Sequence, residues 1–184
     1  MRALLLALLL TALAPALEKF PLPWPAPEGF RTETLPFPLS FAPDIPYRGV
    51  EEIRFAPGFG KPDQPGYFTY TFIWFIRANE KLYLVRDLNR YFSGLMQAVG
   101  KQDPPPFPTT VEVELVHERL GFSEGPGIRA RAKTWDAFYT KAPLELHLDI
   151  YRLQSPDPEY ALYYFEVSPK SMEPLLPLRD KLRL

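Results

Sequence analysis

Leu144-Glu-Leu-His-Leu-Asp-Ile-Tyr151 decides the architecture of this chain. Leu144, Leu146, Leu148 and Ile150 share one parity, and Glu145, His147, Asp149 and Tyr151 share the other. Strand side chains point alternately to opposite faces, so this period predicts a strand with one dry and one wet face. Two upstream segments repeat the pattern. In Thr110–Leu120, Val111, Val113 and Leu115 oppose Glu112, Glu114 and Glu118. In Ile128–Trp135, Ile128, Ala130 and Ala132 oppose Arg129, Arg131 and Lys133. A half-wet sheet is an antiparallel one. Paired as successive hairpins, the basic strand lies between two acidic strands and every wet-face contact is attractive. A charge ladder of this kind serves as a solvated structural face; its alternative use is as a polar platform for a substrate.

Tyr160–Val167 adds a further strand. Upstream, Leu82, Val85, Leu88, Phe92, Leu95, Met96 and Val99 recur at steps of three and four, which predicts a helix stopped by Gly100. Its start is open, because Lys81–Val85 also reads as the end of a hairpin. Every residue from Tyr67 to Ile76 is β-branched or aromatic, so the strand Tyr67–Arg77 is expected at the sheet centre, covered on both faces. Gly49–Phe55 is the first strand, and residues 56–66 form a loop by their Gly and Pro content. The order is ββαββββ. It predicts an α+β domain over residues 49–184, with about six antiparallel strands on one main helix, either hot-dog-like or cystatin/NTF2-like.

Residues 17–48 carry Pro21, Pro23, Pro25, Pro27, Pro36, Pro38, Pro43 and Pro46. Proline at this density forbids helix and discourages central strands. The same segment holds Phe20, Trp24, Phe30, Phe37, Phe41 and Tyr47, which a disordered linker would lack. It is expected to be an ordered extended arm with its rings set into grooves. The alternative is an arm offered to a partner that recognises proline-rich peptides. Residues 1–16 have the build of a signal peptide: Met1-Arg2, then an apolar run, then Ala14-Pro15-Ala16 as a cleavage site. The run is shorter than the roughly 20 residues that span a bilayer. Export to the periplasm or the cell exterior follows, with cleavage near Ala16 and no membrane span in the mature form.

The 21 basic and 22 acidic residues leave a net charge of −1, without the basic stripe that nucleic acid needs. With no cysteine, there is no disulfide, no thiolate nucleophile, no Cys-ligated zinc and no lipid-anchoring cysteine after the signal. The 23 prolines and the two asparagines, Asn79 and Asn89, give a composition typical of heat-adapted proteins.

Gly121-Phe-Ser-Glu-Gly125 matches the serine-hydrolase pattern G-x-S-x-G, but it joins two strands and runs into Pro126-Gly127. That chemistry needs a strand-to-helix turn, so a hairpin loop is expected. His147 and Asp149 share a strand face as metal ligands would, yet no downstream histidine completes the set, and His117 falls on the dry parity. No metal and no cofactor are expected. Gly58-Phe-Gly60 has no helix after it and makes no nucleotide site. The aromatic residues can line a pocket for an apolar or sugar-like ligand, though dense aromatics ordinarily serve as core. The candidates are Trp135 and Tyr139 at a strand end, Phe59 in the Gly/Pro loop, and Trp74.

Glu51-Glu-Ile-Arg-Phe-Ala-Pro-Gly58, the Tyr67–Ile76 strand and Phe165-Glu-Val-Ser-Pro169 together resemble an uncharacterised family of exported bacterial proteins, over roughly residues 35–170. The resemblance implies a secreted α+β domain with a bacterial envelope address, and it assigns no site residues. The function expected is non-catalytic binding of a small apolar or carbohydrate-like molecule, or of an envelope protein. The alternative is a small hydrolase or isomerase using Asp136, His147 and Asp149 as acid and base at the sheet rim.

Overall fold

The computed structural model describes residues 24–100, 105–115, 123–179 and 181. Seven strands form a single antiparallel sheet: β1 (Arg31–Pro36), β2 (Gly49–Phe55), β3 (Tyr70–Arg77), β4 (Thr110–Leu115), β5 (Ile128–Trp135), β6 (Pro143–Leu153) and β7 (Tyr160–Ser168). Their spatial order is β1-β2-β3-β7-β6-β5-β4. Helix α1 (Leu84–Val99) lies between β3 and β4 in the chain, and a 3-10 turn (Glu173–Leu175) runs into a short helix, α2 (Leu176–Arg179). The protein is α+β, a sheet with a helix packed on it.

Two element counts differ from the sequence reading. The seventh strand, β1, lies inside the proline-rich segment. Between Pro27 and Pro36 the chain is free of proline, with Thr32 and Thr34 on one parity, and Pro36 falls at the strand's end. An edge strand tolerates proline there because it has no inner ladder to interrupt. The second difference is the C-terminal turn and α2, too short for any periodic signal. Pro174 opens the turn in a position that leaves no hydrogen bond broken. The centre strand is also shorter than read: Phe68 adopts φ 49°, so Tyr67–Thr69 form a turn ahead of β3.

The sheet has apolar layers on both sides of its centre. On the α1 side, Phe72, Trp74, Phe165, Leu148 and Ala130 meet Leu88, Tyr91, Phe92 and Met96 of the helix. Tyr91 was missed as a core residue, whereas Val85 and Val99, read as core, are exposed. On the other side, Ile73, Phe75, Tyr164 and Leu162 are covered by Trp24, Leu175 and Leu178. All of β3 but its last residue is therefore buried, as the unbroken β-branched and aromatic run implied. The helix start is fixed by Asp87, which reaches back to the Tyr83 N–H (2.9 Å) and takes the Tyr47 hydroxyl. That bond ties α1 to the arm.

On the non-helix side, β4, β5 and β6 present their charges as the alternation foretold. Arg129 faces Glu114 and Asp149 across the ladder, and Arg131 faces Glu112 and His147. Ion pairs join Arg129 to Asp149 and Arg131 to Glu145, each at 3.2 Å.

Candidate binding site

Three cross-strand rows carry the floor and one wall of a pocket on the α1 side, lined by Arg31, Glu33, Leu35, Ile53, Phe55 and Tyr70. Arg31, Phe55 and Tyr70 are opposite one another; so are Glu33, Ile53 and Phe72, and so are Leu35, Glu51 and Trp74. Directly opposed residues share a face, so each row points toward the helix. Tyr91, Leu95, Ala98 and Val99 of α1 form the second wall, and Phe41 of the arm closes one end. At the other end stand Phe59 and Phe68 from the loop before β3, and Phe138 and Tyr139 from the loop after β5. The cavity is about 370 Å³, within the range of small-molecule sites.

Its aromatic walls are locked ring against ring. Phe55 meets Phe59 at 4.7 Å and Tyr70 at 5.8 Å, while Phe68 meets Phe138 at 5.7 Å. The Arg31 guanidinium lies over Phe55, 4.6 Å from its centroid, at the mouth. The loop carrying Phe59 turns tightly at Gly66, where an added Cβ would stand 2.0 Å from the Pro57 carbonyl oxygen. The loop carrying Phe138 and Tyr139 is held by Asp136. Its buried carboxylate accepts from the N–H groups of Phe138 (3.0 Å), Tyr139 (3.0 Å) and Thr140 (2.7 Å), and from the Tyr67 hydroxyl. Burial acts to raise the Asp136 pKa, and the bonds from Thr140, Tyr67 and the loop outweigh it, leaving the carboxyl below its ordinary value. Burial, then the Asp136 bond, pushes the Tyr67 phenol up to about 12.

Beneath the floor lies Glu51, fully buried. It accepts from the Tyr91 hydroxyl (2.8 Å) and from the Trp74 indole N–H (3.0 Å). Burial dominates over these bonds and pushes its pKa up to about 8, so the group is mostly protonated at neutral pH. The Tyr70 hydroxyl is buried beside Glu51 and Tyr91, and burial, then the Glu51 charge, raises its pKa, while its ring lines the cavity.

The residues singled out from the sequence are scattered among different places. Phe59 and Tyr139 line the cavity. Trp74 does not line it: fully buried, it donates to Glu51 and packs against Tyr91. Trp135 is half-buried elsewhere, edge-on to Phe107 at 5.9 Å. His147 and Asp149 stand on the charged face, where Asp149 pairs with Arg129 and the His147 ring lies 3.9 Å from Glu145. Asp136 is on the opposite parity, five residues beyond the partner of His147, which is roughly 17 Å along the strand. The structure therefore does not bring Asp136 to His147 and Asp149. Ser123 donates to the Gly125 carbonyl (2.8 Å) in a connection that leads into β5, not into a helix. His117, Glu118, Gly121 and the signal segment lie outside the described residues.

Glu51, Tyr91 and Arg31 escaped the sequence reading, whereas Tyr70 is among the aromatics it counted as able to line a pocket. One signal was available: Glu51-Glu52 in a strand forces one of two adjacent carboxylates inward. Among the described residues no cluster of His, Asp and Glu fit to hold a metal occurs, and no helix is long and apolar enough to cross a membrane. No family model, curated protein or solved structure matches this chain.

Proposed function

We propose that the protein is an exported, non-catalytic binding module whose pocket takes a small, mainly apolar molecule. The observation that carries this reading is the aromatic cavity between β1–β3 and α1, open to solvent at Arg31 and walled by rings that brace each other. Sugars need hydrogen-bond partners around the ring edge. Here the walls offer chiefly carbon, which favours the apolar class over the carbohydrate one. The helix lying against one face of an open sheet supports a cystatin/NTF2-like arrangement over one in which the sheet encloses its helix. Export rests on residues 1–16 and predicts a mature N-terminus at Leu17, read by N-terminal sequencing of the protein from an envelope fraction.

The test uses the apolar dye N-phenylnaphthylamine. Wild-type protein is expected to bind it at one site with a blue-shifted emission. Ala98→Trp places an indole in the cavity from the helix wall and is expected to abolish binding while the protein stays folded. Equal dye binding by a folded Ala98→Trp variant overturns the assignment of this cavity.

A further inference from the structure

Building on that binding reading, we propose that the ligand is a single-tailed amphipathic acid, fatty-acid-like, whose tail fills the cavity and whose carboxylate sits on the Arg31 guanidinium at the mouth. Ten arginines lie among the described residues. Eight of them pair with a carboxylate, and Arg90 donates to the Asp44 carbonyl oxygen (2.6 Å). Arg31 alone among them does neither. Its guanidinium lies instead over the rings of Phe55 (4.6 Å) and Phe59 (5.9 Å), while the residue is exposed. Rings hold a guanidinium in place without spending its N–H donors, so the planar fork that fits a carboxylate stays open.

The cavity is polar at one end and carbon at the other. Arg31 belongs to the row with Phe55 and Tyr70, at the end walled by Phe59, Phe138 and Tyr139. Away from that row the lining is chiefly aliphatic, with Ile53, Leu35, Leu95, Ala98 and Val99 leading to Phe41. A chain bearing one anionic end matches this gradient, because the tail leaves water while the head keeps both a cation and solvent.

Glu33 decides which end the head takes. It is the one acidic side chain lining the cavity, exposed one row along β1 from Arg31. Same-face neighbours on a strand are roughly 7 Å apart, within reach of two long side chains, yet this pair makes no ion pair. Glu33 repels an anion from the middle of the mouth and leaves Arg31 as its seat. Ser40, beside Phe41, adds no charge at the far end.

Calorimetric titration of the full chain with octanoate, octanol and octylammonium tests this. Wild type is expected to bind octanoate more tightly than octylammonium. Arg31→Gln is expected to weaken octanoate about fivefold, the value of one partly exposed ion pair, and to leave octanol within about twofold. Arg131→Gln removes the same charge from the opposite side of the sheet and is expected to leave octanoate within about twofold. Unchanged octanoate affinity in Arg31→Gln, an equal loss for octanol, or an equal loss in Arg131→Gln overturns the proposal. So does tighter binding of octylammonium than of octanoate by wild type, which makes Glu33 the anchor. Should Arg31→Gln fail to fold, wild type in rising salt decides. Octanoate binding that weakens between about 0.02 M and about 0.5 M salt while octanol binding holds supports the pairing, and parallel behaviour overturns it. If octanol and the dye bind and octanoate does not, only the acid head group fails. If neither the dye nor any of these probes binds, the pocket reading itself fails.

Discussion

Glu51 and Glu166 are both fully buried in the same sheet, on opposite faces, and only one of them has a cation. Glu166 on β7 is clasped by Arg179 of α2, with the guanidinium Nε 2.5 Å from Oε1 and an Nη on Oε2, and it also accepts from Tyr164 (2.8 Å). Glu51 on β2 has two neutral donors and no positive partner. The difference separates two uses of a buried acid. Around Glu166 a guanidinium stands against the carboxyl and ties the C-terminal helix to the sheet. Around Glu51 the protein suppresses the charge, and the polar atoms left over collect under an aromatic cavity.

Removing the cation from the paired site is expected to produce the largest effect. Arg179→Met leaves Glu166 buried without its counter-charge and should lower unfolding free energy by about 3 kcal/mol, measured by urea denaturation. A change below about 1 kcal/mol would show that Glu166 is not held as an ion and would collapse the contrast. Next in size is Gly94→Ala. A Cβ there meets the Phe41 carbonyl oxygen at 2.0 Å, so helix and arm must separate. A loss of about 1–3 kcal/mol follows, with weaker dye binding because Phe41 and Leu95 line the cavity.

The third prediction sharpens the Glu51 side of the comparison through pH. Its folded pKa, about 8, lies above the ordinary 4.5, so the native state binds the extra proton between those values. Wild type should therefore lose stability relative to Glu51→Gln as pH rises from about 4.5 through 8, then run parallel to it. Parallel curves throughout that window would mean that Glu51 ionises as an ordinary carboxyl. The smallest effect belongs to the wet face. Arg131→Ala removes an exposed pair with Glu145 and should change stability by no more than about 0.5 kcal/mol, less at high salt.

Legibility in the sequence followed the same division. The strands β4, β5 and β6 were readable down to their pairing, because alternating charge declares both the face and the neighbour. β1 was not, since the prolines around it argue locally against a strand while the pairing with β2 that overrules them is long-range. The cavity was half readable. Phe59 and Tyr139 follow from aromatics in loops at strand ends, but the floor does not. Tyr91 reaches the rings of Phe72 and Trp74 on β3 from α1, and single-chain periodicity carries no record of where a helix lands. Asp136 was singled out for its charge, whereas its surroundings make it the brace of a loop.

Among the described residues β4 ends the sheet at one side, and its ladder is paired only with β5. Its outward residues on the wet face are Glu112 and Glu114. Were two molecules to meet edge to edge there, carboxylate would face carboxylate, and the open backbone would find no partner among its own kind. Like charges placed so make β4 a border that disfavours edge pairing with a second copy.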